Sequence, residues 1–156
     1  MTEIITQLTV VRTINAPVEL VFKAWTDPEL LAKWWGPNGV TNPVCKLDLR
    51  PGGAIDIVML AGKELGDLAG NEWPITGIFQ EIIPPSKLVY TSTAILDDKP
   101  MIESMNTVTF EDQAGKTKMI LSIAVTKATA AATIPLSGME TGWNQSLDKL
   151  TKQVEN

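Results

Sequence analysis

The sequence predicts an α+β domain in which a strongly curved antiparallel sheet wraps a long C-terminal helix, with two short helices between the first and second strands. Three observations carry this expectation. Residues 137–156 space Met139, Trp143, Leu147, Leu150 and Val154 by four, four, three and four, one stripe on a helix of about 3.6 residues per turn. From Val40 to Thr126 apolar residues recur with a period of two between turn-forming clusters. Asn15-Ala16-Pro17 and Asp27-Pro28-Glu29 each set a proline at the first position of a short helical segment. A long sheet dry on one face and a helix with one apolar stripe then form the two walls of a single core.

Taken in order, residues 4–14 are rich in β-branched side chains and read as a strand, with Ile4, Thr6, Leu8, Val10 and Arg12 on one face. The first short helix is expected over 17–26 with Leu20, Val21, Ala24 and Trp25 inward, and the second over 27–35 with Leu30, Leu31 and Trp34 inward. Gly36-Pro37-Asn38-Gly39 stops it. Cys45, Leu47 and Leu49 form the dry side of the next strand, Pro51-Gly52-Gly53 turns it, and residues 54–60 return with Ile55, Ile57 and Met59 buried. After a glycine-rich loop over 62–71, strands are expected over 73–83, 87–96, 101–111 and 116–126. Residues 128–133 suggest a single helical turn. Ser137 is then the expected N-cap of the terminal helix, with Glu140 three residues on, and Asp148 faces Lys152 across one turn.

Composition narrows the function classes. A chain of 156 residues that is 44% hydrophobic suits one domain over 1–156, with no internal linker and no repeat. The net charge of -5 and the scattered 13 basic residues argue against nucleic acid and anionic membrane surfaces. The first residues lack a secretion signal and no run approaches the ~18 apolar residues of a membrane span, so a cytoplasmic location is expected. Histidine is absent, which removes the Ser-His and Cys-His nucleophile systems and the commonest metal ligand. Neither a metal nor a cofactor is expected.

Several local phrases carry a resemblance. Asn15-Ala16-Pro17 with Val21-Phe22, Trp25-Thr26-Asp27-Pro28-Glu29-Leu30, Lys33-Trp34-Trp35-Gly36-Pro37, Asp48-Leu49-Arg50-Pro51-Gly52-Gly53, Gly77 to Pro85, Leu88-Val89-Tyr90-Thr91, Val108-Thr109-Phe110 and Gly142-Trp143 with Leu147 and Leu150 resemble the AHSA-type proteins. These are relatives of the activator of the heat-shock-protein-90 ATPase, within the START and birch-pollen-allergen superfamily (SRPBCC). The resemblance implies a helix-grip fold and an apolar cavity between sheet and terminal helix. It brings no catalytic set, since the matching residues look like caps, turns and core.

The ligand reading draws on aromatic and thioether groups that give broad contact without directional demand: Ile57, Met59, Trp73, Phe79, Tyr90, Met105, Met139 and Trp143. Gly138 and Gly142 thin the helix beside the last two, which leaves room for a small apolar or amphipathic molecule. The plain alternative is that all of these fill the core. Cys45, with no histidine to activate it, reads as a structural thiol. Asp48, Arg50 and Asp56 read as a solvated strand face around the Pro51 turn. A cavity enzyme acting on an aromatic or polyketide-like substrate would use Glu103 with Tyr90, a carboxyl of raised pKa replacing the missing imidazole. An interaction module of co-chaperone or stress-response type would dock a protein partner through Trp35, because two adjacent tryptophans cannot both face one side of a helix.

Overall fold

The computed structural model describes residues 6–129 and 138–155. Seven strands make one antiparallel sheet: β1 (Thr6–Ile14), β2 (Val40–Leu47), β3 (Ala54–Ala61), β4 (Glu72–Ile83), β5 (Lys87–Leu96), β6 (Lys99–Gln113) and β7 (Lys116–Ala128). Their order across the sheet is β1-β7-β6-β5-β4-β3-β2, so β1 and β2 are open edges and the sheet does not close. Helices α1 (Val18–Thr26) and α2 (Pro28–Trp34) link those two edges, and α3 (Met139–Glu155) lies in the concavity. Expectations on Ser137 and on residues 130–133 lie outside the described residues.

Curvature comes from irregular pairing. The register shifts between Thr41 and Val44, Phe79 and Glu81, Ala94 and Ile95, and Glu103 and Ser104, and each bulge adds local twist. Gly77 lets β4 press onto β5, since a Cβ there would overlap the carbonyl oxygen of Thr91. The Asp97-Asp98 turn, with both residues at positive φ, is a two-residue hairpin, which is why β6 starts at Lys99, before the expected 101. The glycine-rich loop contains a 3₁₀ segment, Lys63–Leu68, kinked at Gly66.

The α3 stripe behaves as its spacing requires. Leu147, Leu150 and Val154 are buried, and Met139 and Trp143 pack against the same core. Each of the three buried side chains contributes roughly 1.5–3 kcal/mol by leaving water. In the short helices the inward set differs from expectation. Phe22 is buried in α1 while Leu20 is exposed, and Leu49 is exposed because β2 ends at Leu47. Asp27 caps α2, accepting the backbone N–H of Glu29 at 3.0 Å. At the other end Asn42 donates to the carbonyls of Ala32 and Trp35 at 2.9 and 2.8 Å, satisfying groups the helix leaves free.

Asp148 does not use Lys152; its partner is Arg12. From the concave side of β1, the guanidinium donates to Asp148 Oδ1 at 2.7 Å and to both oxygens of Asn144, the carbonyl O and Oδ1, at 3.0 Å. The Asp148 side chain is 64% exposed, so the ion pair itself is weak, whereas Arg12 is 22% exposed and holds three bonds. Arg12→Ala should therefore lower stability by about 2 kcal/mol and Asp148→Ala by less than about 1 kcal/mol in urea unfolding. Equal losses would place the contribution in the ion pair instead.

Candidate functional site

Trp25 is the centre of the interior. It points from α1 onto the concave face, and its indole N–H donates to the Met119 sulfur at 3.3 Å. Trp34 and Trp35 meet it edge-on at centroid distances of 4.7 and 6.5 Å, Phe110 edge-on at 6.5 Å, and Tyr90 tilted at 6.5 Å. Trp143, from the second turn of α3, lies nearly parallel to it, 16° between planes at 6.2 Å, and meets Trp35 edge-on at 5.2 Å. These geometries fall within the range where aromatic pairs attract beyond their burial.

Both adjacent tryptophans face this cluster, which corrects the expectation for Trp35. Trp34 is fully buried, with its indole N–H bonded to the Ala24 carbonyl at 2.9 Å, and Trp35 is 6% exposed. Helical spacing does not separate them because α2 ends at Trp34. Trp35 has extended backbone angles, φ -61° and ψ 135°, and Gly36 turns the chain at a positive φ of 92°. Trp35 is a core residue and offers no partner surface.

On the concave face one cross-strand row runs Phe79, Tyr90, Asn106, Ile123 and Leu8, and the next runs Ile55, Gly77, Ser92, Ser104 and Val125. The polar members are the residues that sequence reasoning missed. Ser92, Ser104 and Asn106 close a ring: Ser92 and Ser104 hydroxyls at 2.8 Å, Ser104 to Asn106 Oδ1 at 3.2 Å, and Asn106 Nδ2 to Ser92 at 3.1 Å. Asn106 is 2% exposed, and the ring satisfies groups that would otherwise be costly to bury. Tyr90 beside it is not satisfied. Its hydroxyl is buried without a hydrogen-bond partner, and desolvation pushes the phenol well above the ordinary tyrosine range, so it remains a neutral O–H.

Tyr90 also lines a small void beneath the cluster, about 20 Å³, together with Trp25, Trp35, Leu47, Ile57 and Phe79 among others. That volume admits a sphere the size of one water. Met59 and Met139 pack at the margins of the core, and Trp73 stands half-buried across from Met59. Gly138 is exposed ahead of α3, and a Cβ at Gly142 would meet only Pro37, at an ordinary 3.9 Å. Gly142 thus lies against the loop after α2 and opens no room at the void.

Two expected members belong to the other side of the sheet. Ser104, Asn106, Val108 and Phe110 alternate inward along β6, which turns Met105 outward, 39% exposed. Glu103 is outward too, pairing loosely with Lys127 at 3.9 Å in a pocket of about 410 Å³ that Pro100, Met101 and Thr126 also line. Glu103 and Tyr90 therefore face opposite sides of the sheet and form no acid-base pair. Arg50 and Asp48 pair at 2.8 Å, both exposed, and Asp56 stands apart from them. Among the described residues no three carboxylates or thiols gather into a metal-binding group, and no helix is long and apolar enough to cross a membrane.

The family model described as "Activator of Hsp90 ATPase homolog 1-like protein" matches residues 15–155. Among solved structures, a protein from Chromobacterium violaceum is 28% identical with a TM-score of 0.83, covering 96% of this chain and 97% of its own. A Nitrosomonas europaea protein is 25% identical (TM-score 0.78; 96% and 94% covered), and the AHSA1 protein of Silicibacter pomeroyi is 26% identical (TM-score 0.76; 96% and 98% covered). No curated protein sequence matches the chain.

Two consequences can be measured. Removing an unpartnered buried hydroxyl should help the fold, so Tyr90→Phe is expected to raise stability by about 1 kcal/mol; a loss of that size would mean the hydroxyl supports the structure. Cys45 packs against the core, and burial pushes its thiol up to about 11. The thiolate is then scarce at pH 8, and Cys45 should react with a disulfide reagent roughly a hundredfold more slowly than a free thiol, accelerating as pH approaches 11.

Proposed function

The chain belongs to the Activator of Hsp90 ATPase homolog 1-like family, within the SRPBCC superfamily, and from that premise we propose that it binds a small apolar or amphipathic molecule between its sheet and α3, without turnover. Members of this superfamily often bind hydrophobic ligands. The observation that carries the reading is the Tyr90 hydroxyl, buried without a partner beside an apolar void. Such a group is costly in an apolar interior until a partner meets it, and an acceptor entering the adjoining void would supply one. The void is far smaller than a ligand, so binding includes an outward movement of side chains, for which half-buried Trp143 is the natural candidate.

Catalysis by a cavity carboxylate has no support, because Glu103 lies on the convex face. Docking of a chaperone or other protein through Trp35 has none either, because the ring is buried. Leu47 lines the void from edge strand β2, which can yield to a larger side chain. Native mass spectrometry of protein purified gently from its own host should reveal a stoichiometric small-molecule adduct. Leu47→Trp should reduce the adduct about tenfold or more through overpacking, with the fold retained. A folded Leu47→Trp protein that keeps its adduct would falsify the reading.

A further inference from the structure

The two edges of the sheet differ in how they meet a further strand. At β2 the way is blocked: Pro43 has no N–H to offer, the register slips between Thr41 and Val44, and α2 packs alongside, with its last carbonyls held by the Asn42 side chain. At β1 none of these devices is present. The strand pairs with β7 from Thr6 to Ile14 without a register shift, and it contains no proline, glycine, lysine or carboxylate. Its single charge, Arg12, is turned to the concave side and taken up by Asp148 and Asn144. Among the described residues, the backbone of 6–13 is hydrogen-bonded only to β7. Every second residue therefore directs its N–H and C=O outward, a template for another strand.

The strand that fits this edge is β1 of a second copy. Its exposed side chains, Thr6, Gln7, Thr9, Val11 and Thr13, are all neutral, and Val11, at 54%, is the most exposed large apolar side chain among the described residues. Opposed residues in an antiparallel pair share a face, so a two-fold axis between two copies of β1 passes through a residue and never between two. An axis through Arg12 would set two guanidinium groups side by side. An axis through Val10 would leave each Val11 opposite a threonine. An axis through Val11 sets it against the second copy's Val11, Thr9 against the second copy's Thr13 and Leu8 against the second copy's Ile14. Ile120 of β7 stands beside Val11, so Ile120 and Val11 of each copy then form one apolar row across the seam. We propose that the protein self-associates through β1, two copies pairing antiparallel about Val11 so that one sheet runs through both. A single strand pair is a small interface, which makes the dimer reversible, with a dissociation constant in the micromolar range. The interior between the sheet and α3 takes no part, so this inference stands apart from the ligand reading.

Sedimentation velocity of the full chain over a dilution series tests this. The parent protein should pass from dimer to monomer on dilution, and a monomer at every concentration up to roughly 1 mM overturns the proposal. Val11→Lys and Val11→Glu each set like charges against one another across the seam, while in the monomer the new side chain stands in water. Each should weaken association about tenfold or more and leave the circular dichroism spectrum unchanged. An equimolar mixture of the two variants should recover association, because the mixed dimer opposes a lysine to a glutamate. Association that neither variant weakens, or that mixing does not recover, overturns β1 as the seam. Val11→Cys under mild oxidation should give a disulfide-linked dimer on a non-reducing gel, whereas the parent protein, with Cys45 as its single cysteine, should not. A Val11→Cys protein that associates without cross-linking overturns the pairing about Val11.

Discussion

The indole of Trp25 touches rings contributed by α2, β5, β6 and α3 and donates its N–H to a methionine of β7, so one side chain ties together both short helices, the sheet and the C-terminal helix. A curved sheet has a concave face too wide for one helix to cover. The α1–α2 segment fills the remaining width, and it does so with rings instead of aliphatic chains. That choice suits the geometry, because rings from three helices and two strands meet there at different angles and edge-to-face packing tolerates such angles. The apolar stripe of α3 then closes the core along its length through Leu147, Leu150 and Val154, and Arg12 ties the helix to the opposite edge of the sheet.

This arrangement distributes stability unevenly. The end of α3 near Val154 is deeply packed, and Asn15 donates its backbone N–H to Glu155 there at 2.9 Å. Toward Met139 and Trp143 the same stripe is only partly covered, and Gly142 adds no side chain against Pro37. Local opening draws on regions with few buried contacts and exposed backbone. Displacement of Trp143 would therefore leave the Leu147–Val154 half of the helix in place, and the sheet would not need to unfold for the interior to become accessible.

Most of the fold was legible from periodicity, because burial on one face imposes a period of 3.6 or 2 on long segments. The α3 stripe, the strand alternation and the proline-led short helices all follow from it. Parity was harder. Counting back by twos from Val108 and Phe110 reaches Asn106 and Ser104, so Met105 and Glu103 must face out. Residue type pointed the other way, since methionine looks like core and asparagine like surface. The Ser92, Ser104 and Asn106 ring resolves the conflict: three polar groups that satisfy one another can be buried together, and no single one of them signals this alone. Trp35 was misread for a related reason, as helical geometry was extended one residue past the point where the backbone leaves the helix.

The candidate site lay between these two cases. Tyr90, Phe79, Ile57 and Trp143 were recognisable as interior residues from strand phase and helix stripe, but nothing in their spacing distinguishes a filled core from a binding cavity. The distinction rests on hydrogen-bond accounting, which needs coordinates. Along the same wall, Asn106 and its serines have partners and Tyr90 has none, although all stand in two neighbouring rows of one sheet. A sheet that closes one polar cluster completely has the means to close another. Phenylalanine at position 90 would have filled the same space without the desolvation cost of the hydroxyl. The physical asymmetry between those two positions, one satisfied and one not, is the ground on which the binding proposal rests.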